Sequence, residues 1–121
     1  MYCGVRAVSH QTEMAEFEGG GVRSSDEGKP QFELLLTPGM DYEEQLMTKV
    51  ARRMAEGAAL YGRYNYAKMS SDEALERAYG SLLRHAMQHI NGERDEEHLA
   101  AVVANCIMIS KIEHNRRDTN E

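Results

Sequence analysis

Asp95-Glu96-Glu97-His98-Leu99-Ala100-Ala101-Val102-Val103-Ala104-Asn105-Cys106-Ile107-Met108-Ile109-Ser110-Lys111-Ile112 opens on acids and then runs almost wholly apolar. Asp95 is a good N-cap, and Glu96 and Glu97 suit the positive end of a helix. From Leu99 to Ile112 apolar residues fall on nearly every side, so this helix is expected to be buried, centrally or against a partner subunit. The polar tail from Glu113 to Glu121 is expected to fray.

Two further helices precede it. Leu46, Met47, Val50, Met54, Ala58 and Tyr61 recur at helical spacing after Asp41, which is expected to cap, and Gly62 marks a stop. Arg63 to Met69 reads as a loop. Ser70 and Glu73 form a capping-box pattern for a helix running to about Ile90, with Leu75, Ala78, Tyr79, Leu82, Leu83, Ala86, Met87 and Ile90 on its apolar face. Asn91-Gly92 ends it. Residues 1–30 hold Gly19, Gly20, Gly21 and Gly28 without a sustained period, and read as an extended arm. Phe32 and Leu34–Leu36 then form an apolar anchor closed by Pro38-Gly39. The expectation is an all-α chain with residues 31–121 as a single helical domain.

The chain has 121 residues and a formal net charge of −6, with 41% hydrophobic residues. That length suits one core. The negative charge opposes a general nucleic-acid-binding role, although a few placed cations or a metal ion can still hold a small phosphorylated ligand. Cys3 and Cys106 fit neither a disulfide framework nor a zinc spacing. With no signal-peptide layout and no apolar run of about 20 residues, no membrane partner and a cytoplasmic setting are expected.

Chemistry concentrates around the second interhelical turn. His85 and His89 are four apart on one side of helix two, and a short turn brings Glu93, Asp95, Glu96 and His98 toward its C-terminal part. Converging carboxylates and imidazoles suit Mg²⁺ or Mn²⁺; Glu97 reads as a solvated helix-start acid, and His89 equally as a surface residue. Asn105, alone in an apolar helix, needs partners; a satisfied structural hydrogen bond in the core and a functional amide fit about evenly, and its spacing from His98 tips the reading toward a shared polar pocket. Tyr61, Tyr64 and Tyr66 offer stacking surfaces and Asn65 a hydrogen-bonding edge, although aromatic packing at a helix end accounts for the same residues. Arg23 and Lys29 in the arm could close over phosphates, yet singly they are ordinary surface cations.

Taken together, Gly20-Gly21-Val22-Arg23, Glu27-Gly28-Lys29-Pro30-Gln31-Phe32, Gly57-Ala58-Ala59-Leu60-Tyr61-Gly62-Arg63-Tyr64-Asn65-Tyr66, Ser81-Leu82-Leu83-Arg84-His85 and Gly92-Glu93-Arg94-Asp95-Glu96-Glu97-His98-Leu99-Ala100-Ala101, followed by Asn105, carry a resemblance. In this order, from about Gly20 to Ile109, the chain resembles the phage-encoded MazG-like (MazZ-type) dATP/dGTP diphosphohydrolases. The resemblance implies a MazG-like nucleoside-triphosphate pyrophosphohydrolase helical bundle, usually a homo-oligomer (dimer or tetramer), using Mg²⁺ or Mn²⁺. It implies hydrolysis of dGTP or dATP to the monophosphate, with dGMP feeding 2-aminoadenine nucleotide synthesis in phages that use that base. Leu60 and Tyr66 depart from the family's Lys and Trp. If the third helix corresponds to the MazG metal helix, His98 and Ala101 replace its Glu and Asp.

On this reading His85, Asp95, Glu96 and His98 serve the metal, Arg84 and Lys29 hold phosphate oxygens together with Arg23, and Glu93 takes a proton from water. Tyr61, Asn65 and Asn105 position sugar or base. The rival readings are a non-catalytic nucleotide-binding sponge, which would bind without metal-dependent turnover, and a structural helical adaptor, which would bind neither nucleotide nor metal.

Overall fold

The computed structural model describes residues 14–25 and 27–119, which fall into two compact units divided between Leu36 and Thr37. Cys3 lies outside the described residues. In the first unit, β1 (Met14–Glu16) pairs antiparallel with β2 (Val22–Ser24), Ala15 opposite Arg23. Gly20 donates to the Phe17 carbonyl, and Phe17 to that of Gly21. Gly19 and Gly20 both take positive φ in this turn, which glycine adopts without steric cost. The glycines thus make a hairpin within what the sequence suggested only as an extended arm. Phe32–Leu35 forms a single 3-10 turn whose apolar side chains are exposed.

The second unit is an all-α bundle of three helices: α1 (Leu46–Tyr61), α2 (Asp72–Ile90) and α3 (His98–Thr119). α3 packs against both α1 and α2 and against a 3-10 turn at Asn65–Lys68. Its Ala100, Ala101, Ala104, Ile109 and Ile112 are buried, with Val50 of α1 joining them. Central burial therefore accounts for one face of α3, whereas Leu99, Cys106 and Ile107 on its other sides are exposed.

Helix ends depart from the spacing-based expectation for identifiable reasons. Asp41 caps a separate turn, not α1: its carboxylate accepts from the Glu44 N–H while Glu44 Oε1 accepts from the Asp41 N–H. The chain enters α1 through Gln45, which is extended and buried. The Gln45 amide accepts from the Thr37 N–H and donates to the Thr37 and Met40 carbonyls, so its polar atoms are satisfied away from water. At α2 the cap is Ser71, one residue later than the Ser70 box, its hydroxyl accepting from the Ala74 N–H at 3.1 Å. Gly62 and Gly92 end α1 and α2 with φ of +95° and +87°.

Two faces differ more substantially. Leu75, Ala78, Leu82 and Ala86 of α2 turn inward and are half-buried, whereas Tyr79, Leu83, Met87 and Ile90 are exposed. One neighbour, α3, covers only part of a stripe that wide. Tyr61 is likewise exposed instead of completing the buried face of α1.

The segment from Glu113 does not fray within the described residues, since α3 continues to Thr119. Asn115 Nδ2 donates to the carbonyls of Ala67 (3.0 Å) and Met69 (2.8 Å), and Arg116 pairs with Asp72 at 2.5 Å. These contacts give the polar tail partners that its composition does not reveal. Asn115→Ala should lower stability by about 1–3 kcal/mol in urea unfolding, because it leaves loop carbonyls unpaired. The exposed Arg117→Ala should stay within about 0.5 kcal/mol of the parent.

Candidate functional site

The turn between α2 and α3 brings the expected chemistry together. His85, near the C-terminal end of α2, is 3% exposed, and His98, first residue of α3, is 1% exposed. Their Nδ1 atoms face each other at 2.8 Å. On its other side His98 Nε2 lies 2.8 Å from Asp95 Oδ1. The His98 hydrogen bond holds the Asp95 carboxyl below the ordinary carboxylate range. An ionised Asp95 requires the proton on His98 Nε2. When His98 is neutral its Nδ1 is then the acceptor and His85 Nδ1 the donor. A chain from carboxylate to imidazole to imidazole results.

Burial, foremost, lowers the pKa of His85, aided by the positive charges of Arg53 and Arg84, while Glu96 opposes the shift. Glu96 itself is held low by Arg53, whose Nη1 donates to its Oε1 at 2.7 Å. Among the described residues two groups have ligand atoms within 4.8 Å of one another: His85 with Glu96 and His98, and Glu93 with Asp95 and His98. A six-coordinate ion bound at about 2.1 Å needs neighbouring ligand atoms roughly 3 Å apart and opposite ones roughly 4 Å apart. Both groups combine imidazole nitrogen with carboxylate oxygen, donors that could hold a metal ion.

Beside this cluster a cleft of about 1200 Å³ opens between the second half of α1 and α3. Glu96, Arg53, Asn105, Tyr61 and Asn65 are among the residues that line it. Asn105 donates to Ser81 Oγ and to the Ala101 carbonyl, which satisfies its amide N–H groups. His98 does not line the cleft, so the pocket expected to be shared by Asn105 and His98 is instead shared by Asn105 and Glu96. Tyr61 and Tyr64 are exposed on its wall, Asn65 and Tyr66 half-buried. Tyr64 takes the left-handed conformation, φ 60°, and the Arg63 guanidinium sits 5.7 Å from its ring centroid. These residues form the rim of a ligand-sized concavity instead of a packed helix end.

The remaining candidates have other surroundings. Glu93 accepts from Gln88 Nε2 and Asn91 Nδ2. Arg84 is exposed beside His85 and does not line the cleft. Glu97 pairs with Lys49 at 3.3 Å, and His89 is half-buried. Arg23 stands on β2, and Lys29 Nζ donates to Ser24 Oγ; both belong to the first unit. Arg53 was not legible as a site residue, since in sequence it is one of two adjacent helix cations. The usable signal was its place four residues before Gly57, on the same stripe of α1.

The sequence model of one family, described as dATP/dGTP diphosphohydrolase, N-terminal, matches residues 20–121. Comparison with curated proteins and with solved structures gave no match.

Because folding favours the neutral His85 ring, the unfolded chain binds the proton more readily. Stability is therefore complete above the ordinary histidine value near 6.5 and is lost as pH falls below it. In EDTA the urea midpoint should drop between pH 7.5 and 5.5, and His85→Gln should reduce that drop. An equal drop in both proteins would refute the assignment.

Proposed function

The chain belongs to the dATP/dGTP diphosphohydrolase family and is a nucleoside-triphosphate diphosphohydrolase, and from that premise we propose a metal-assisted reaction at the α2–α3 turn. The observation that carries this reading is the convergence of His85 with Glu96 and His98, and of Asp95 with His98, beside a cleft of nucleotide size. The substrates are dGTP and dATP and the product is the monophosphate. Release of dGMP would serve phage nucleotide metabolism, including 2-aminoadenine nucleotide synthesis where that base is used.

His85, Glu96, His98 and Asp95 would hold Mg²⁺ or Mn²⁺, directly or through water, with the His85–His98 hydrogen bond opening to free the His98 Nδ1 lone pair. A bound divalent ion supplies neutralisation of phosphate charge and acidification of the attacking water. Asp95 orients the His98 ring through the Nε2 hydrogen bond. Glu93 keeps lone pairs beyond those that accept from Gln88 and Asn91, and takes the proton of the attacking water. Arg84 has an exposed guanidinium next to His85 and donates to phosphate oxygens. Tyr61 stacks on the base, while Asn65 and Asn105 hydrogen-bond the base or sugar.

The exposed stripe of Leu83, Met87 and Ile90 on α2 is the surface a homo-oligomer would cover. Among the described residues no helix is long and apolar enough to cross a membrane. The substrate is a free nucleotide, with neither nucleic acid nor membrane as partner.

Chromatography of dGTP incubated with the protein and Mn²⁺ should show dGMP, and EDTA should abolish it. Pyrophosphate beside dGMP identifies the bond cut; unchanged dGTP and dATP would sink the reading. Asp95→Ala should lower turnover by about 100-fold or more with helical circular dichroism intact.

A further inference from the structure

The acidic chain must grip a highly charged triphosphate, and the cleft wall supplies few cations to do so. Among the described residues lining the cleft these are Arg53 and Arg63. Arg63 lies outside the helices, against the Tyr64 ring. Arg53 stands on α1, a rigid element, and reaches across 43 residues of sequence to Glu96 at the metal-ligand cluster. Both members of this pair line the cleft.

The pair is also easily exchanged. Arg53 and Glu96 side chains retain 34% and 43% of their exposure, and ion pairs so hydrated are held weakly. Among the described residues the Arg53 guanidinium has one acceptor, Glu96 Oε1, which leaves N–H groups of its planar fork for phosphate oxygens. Glu96 has two claimants in turn: Arg53, and the ion that the His85–Glu96–His98 group would hold.

Resting on the proposed reaction, we infer that Arg53 is a substrate-binding residue that exchanges Glu96 for the β- and γ-phosphates when a divalent ion takes up the Glu96 carboxylate. In the nucleotide-free protein Arg53 satisfies Glu96 and competes with the ion for it. In the loaded protein the ion's positive charge repels the guanidinium, and the triphosphate tail offers it new acceptors. Metal and triphosphate then strengthen each other's binding, as linkage requires. The inference separates two parts of the substrate: Arg53 serves the tail, whereas base and sugar lie with the tyrosine and asparagine wall.

Arg53→Gln and Arg53→Lys, each checked for helical content, test this by calorimetry with the non-hydrolysable α,β-imido analogue of dGTP and with dGMP, in Mn²⁺. Free Mn²⁺ is measured separately by electron paramagnetic resonance without nucleotide. Arg53→Gln should weaken the triphosphate analogue about tenfold or more, the loss expected for a charge-assisted hydrogen bond. Binding of dGMP should change less than about threefold, and Mn²⁺ should bind the nucleotide-free variant as tightly as the parent or tighter. Arg53→Lys should recover part of the triphosphate affinity. Unchanged analogue binding, an equal loss for dGMP, or weakened Mn²⁺ binding in Arg53→Gln would each overturn the inference. Because these readouts are equilibria, failure of the parent protein to hydrolyse dGTP would count against the proposed reaction and leave the Arg53 result readable.

Discussion

Burial of two imidazoles nose to nose, Nδ1 to Nδ1 at 2.8 Å, is possible only if something fixes their protons. Asp95 does so through its bond to His98 Nε2, and through His98 the order extends to His85. The contact ties α2 to the start of α3 at the point where the chain reverses. Burial disfavours the charged form of the His85 ring in that position. Ligand atoms of His85, Glu96 and His98 also lie within 4.8 Å of one another at this turn. Structure and chemistry therefore share one constraint, the polar satisfaction of a buried turn.

Around that turn the packing is economical. α3 buries Ala100, Ala101 and Ala104 near its start, and these short side chains leave room for α1 and α2 to approach the same helix. Bulk enters further along, at Ile109 and Ile112. With the polar Asn105 between these two zones, α3 serves as core on one part and as cleft wall on another. The cleft persists because α1 meets α3 without sealing its own C-terminal half, where Gly57 and Gly62 lack side chains to fill the space.

Electrostatics follow from this layout. In a chain of net charge −6, favourable sites for a triphosphate exist only where cations are held in place. Arg53 is held by Glu96, Arg52 by Glu43, and Lys49 by Glu97. Of these, the Arg53 pair alone joins the ligand-atom cluster to the cleft.

By itself the sequence determined three helices, their order, and the meeting of His85 with Glu96 and His98, because helical period, glycine stops and a short turn are local signals. Family membership was legible too, since the motifs follow one another in order along the chain. Tertiary structure alone decided the rest. Asp41 closes its own turn because buried Gln45 finds partners in Thr37 and Met40, a loop closure that no spacing encodes. Glu113 onward stays helical because Asn115 meets carbonyls 46 and 48 residues away. Arg53 reaches Glu96 only because α1 and α3 pack side by side, and Tyr61 faces the cleft because no described residue covers that end of α1. Period and capping act over a few residues, whereas burial and pairing depend on which distant surfaces the packed helices bring together.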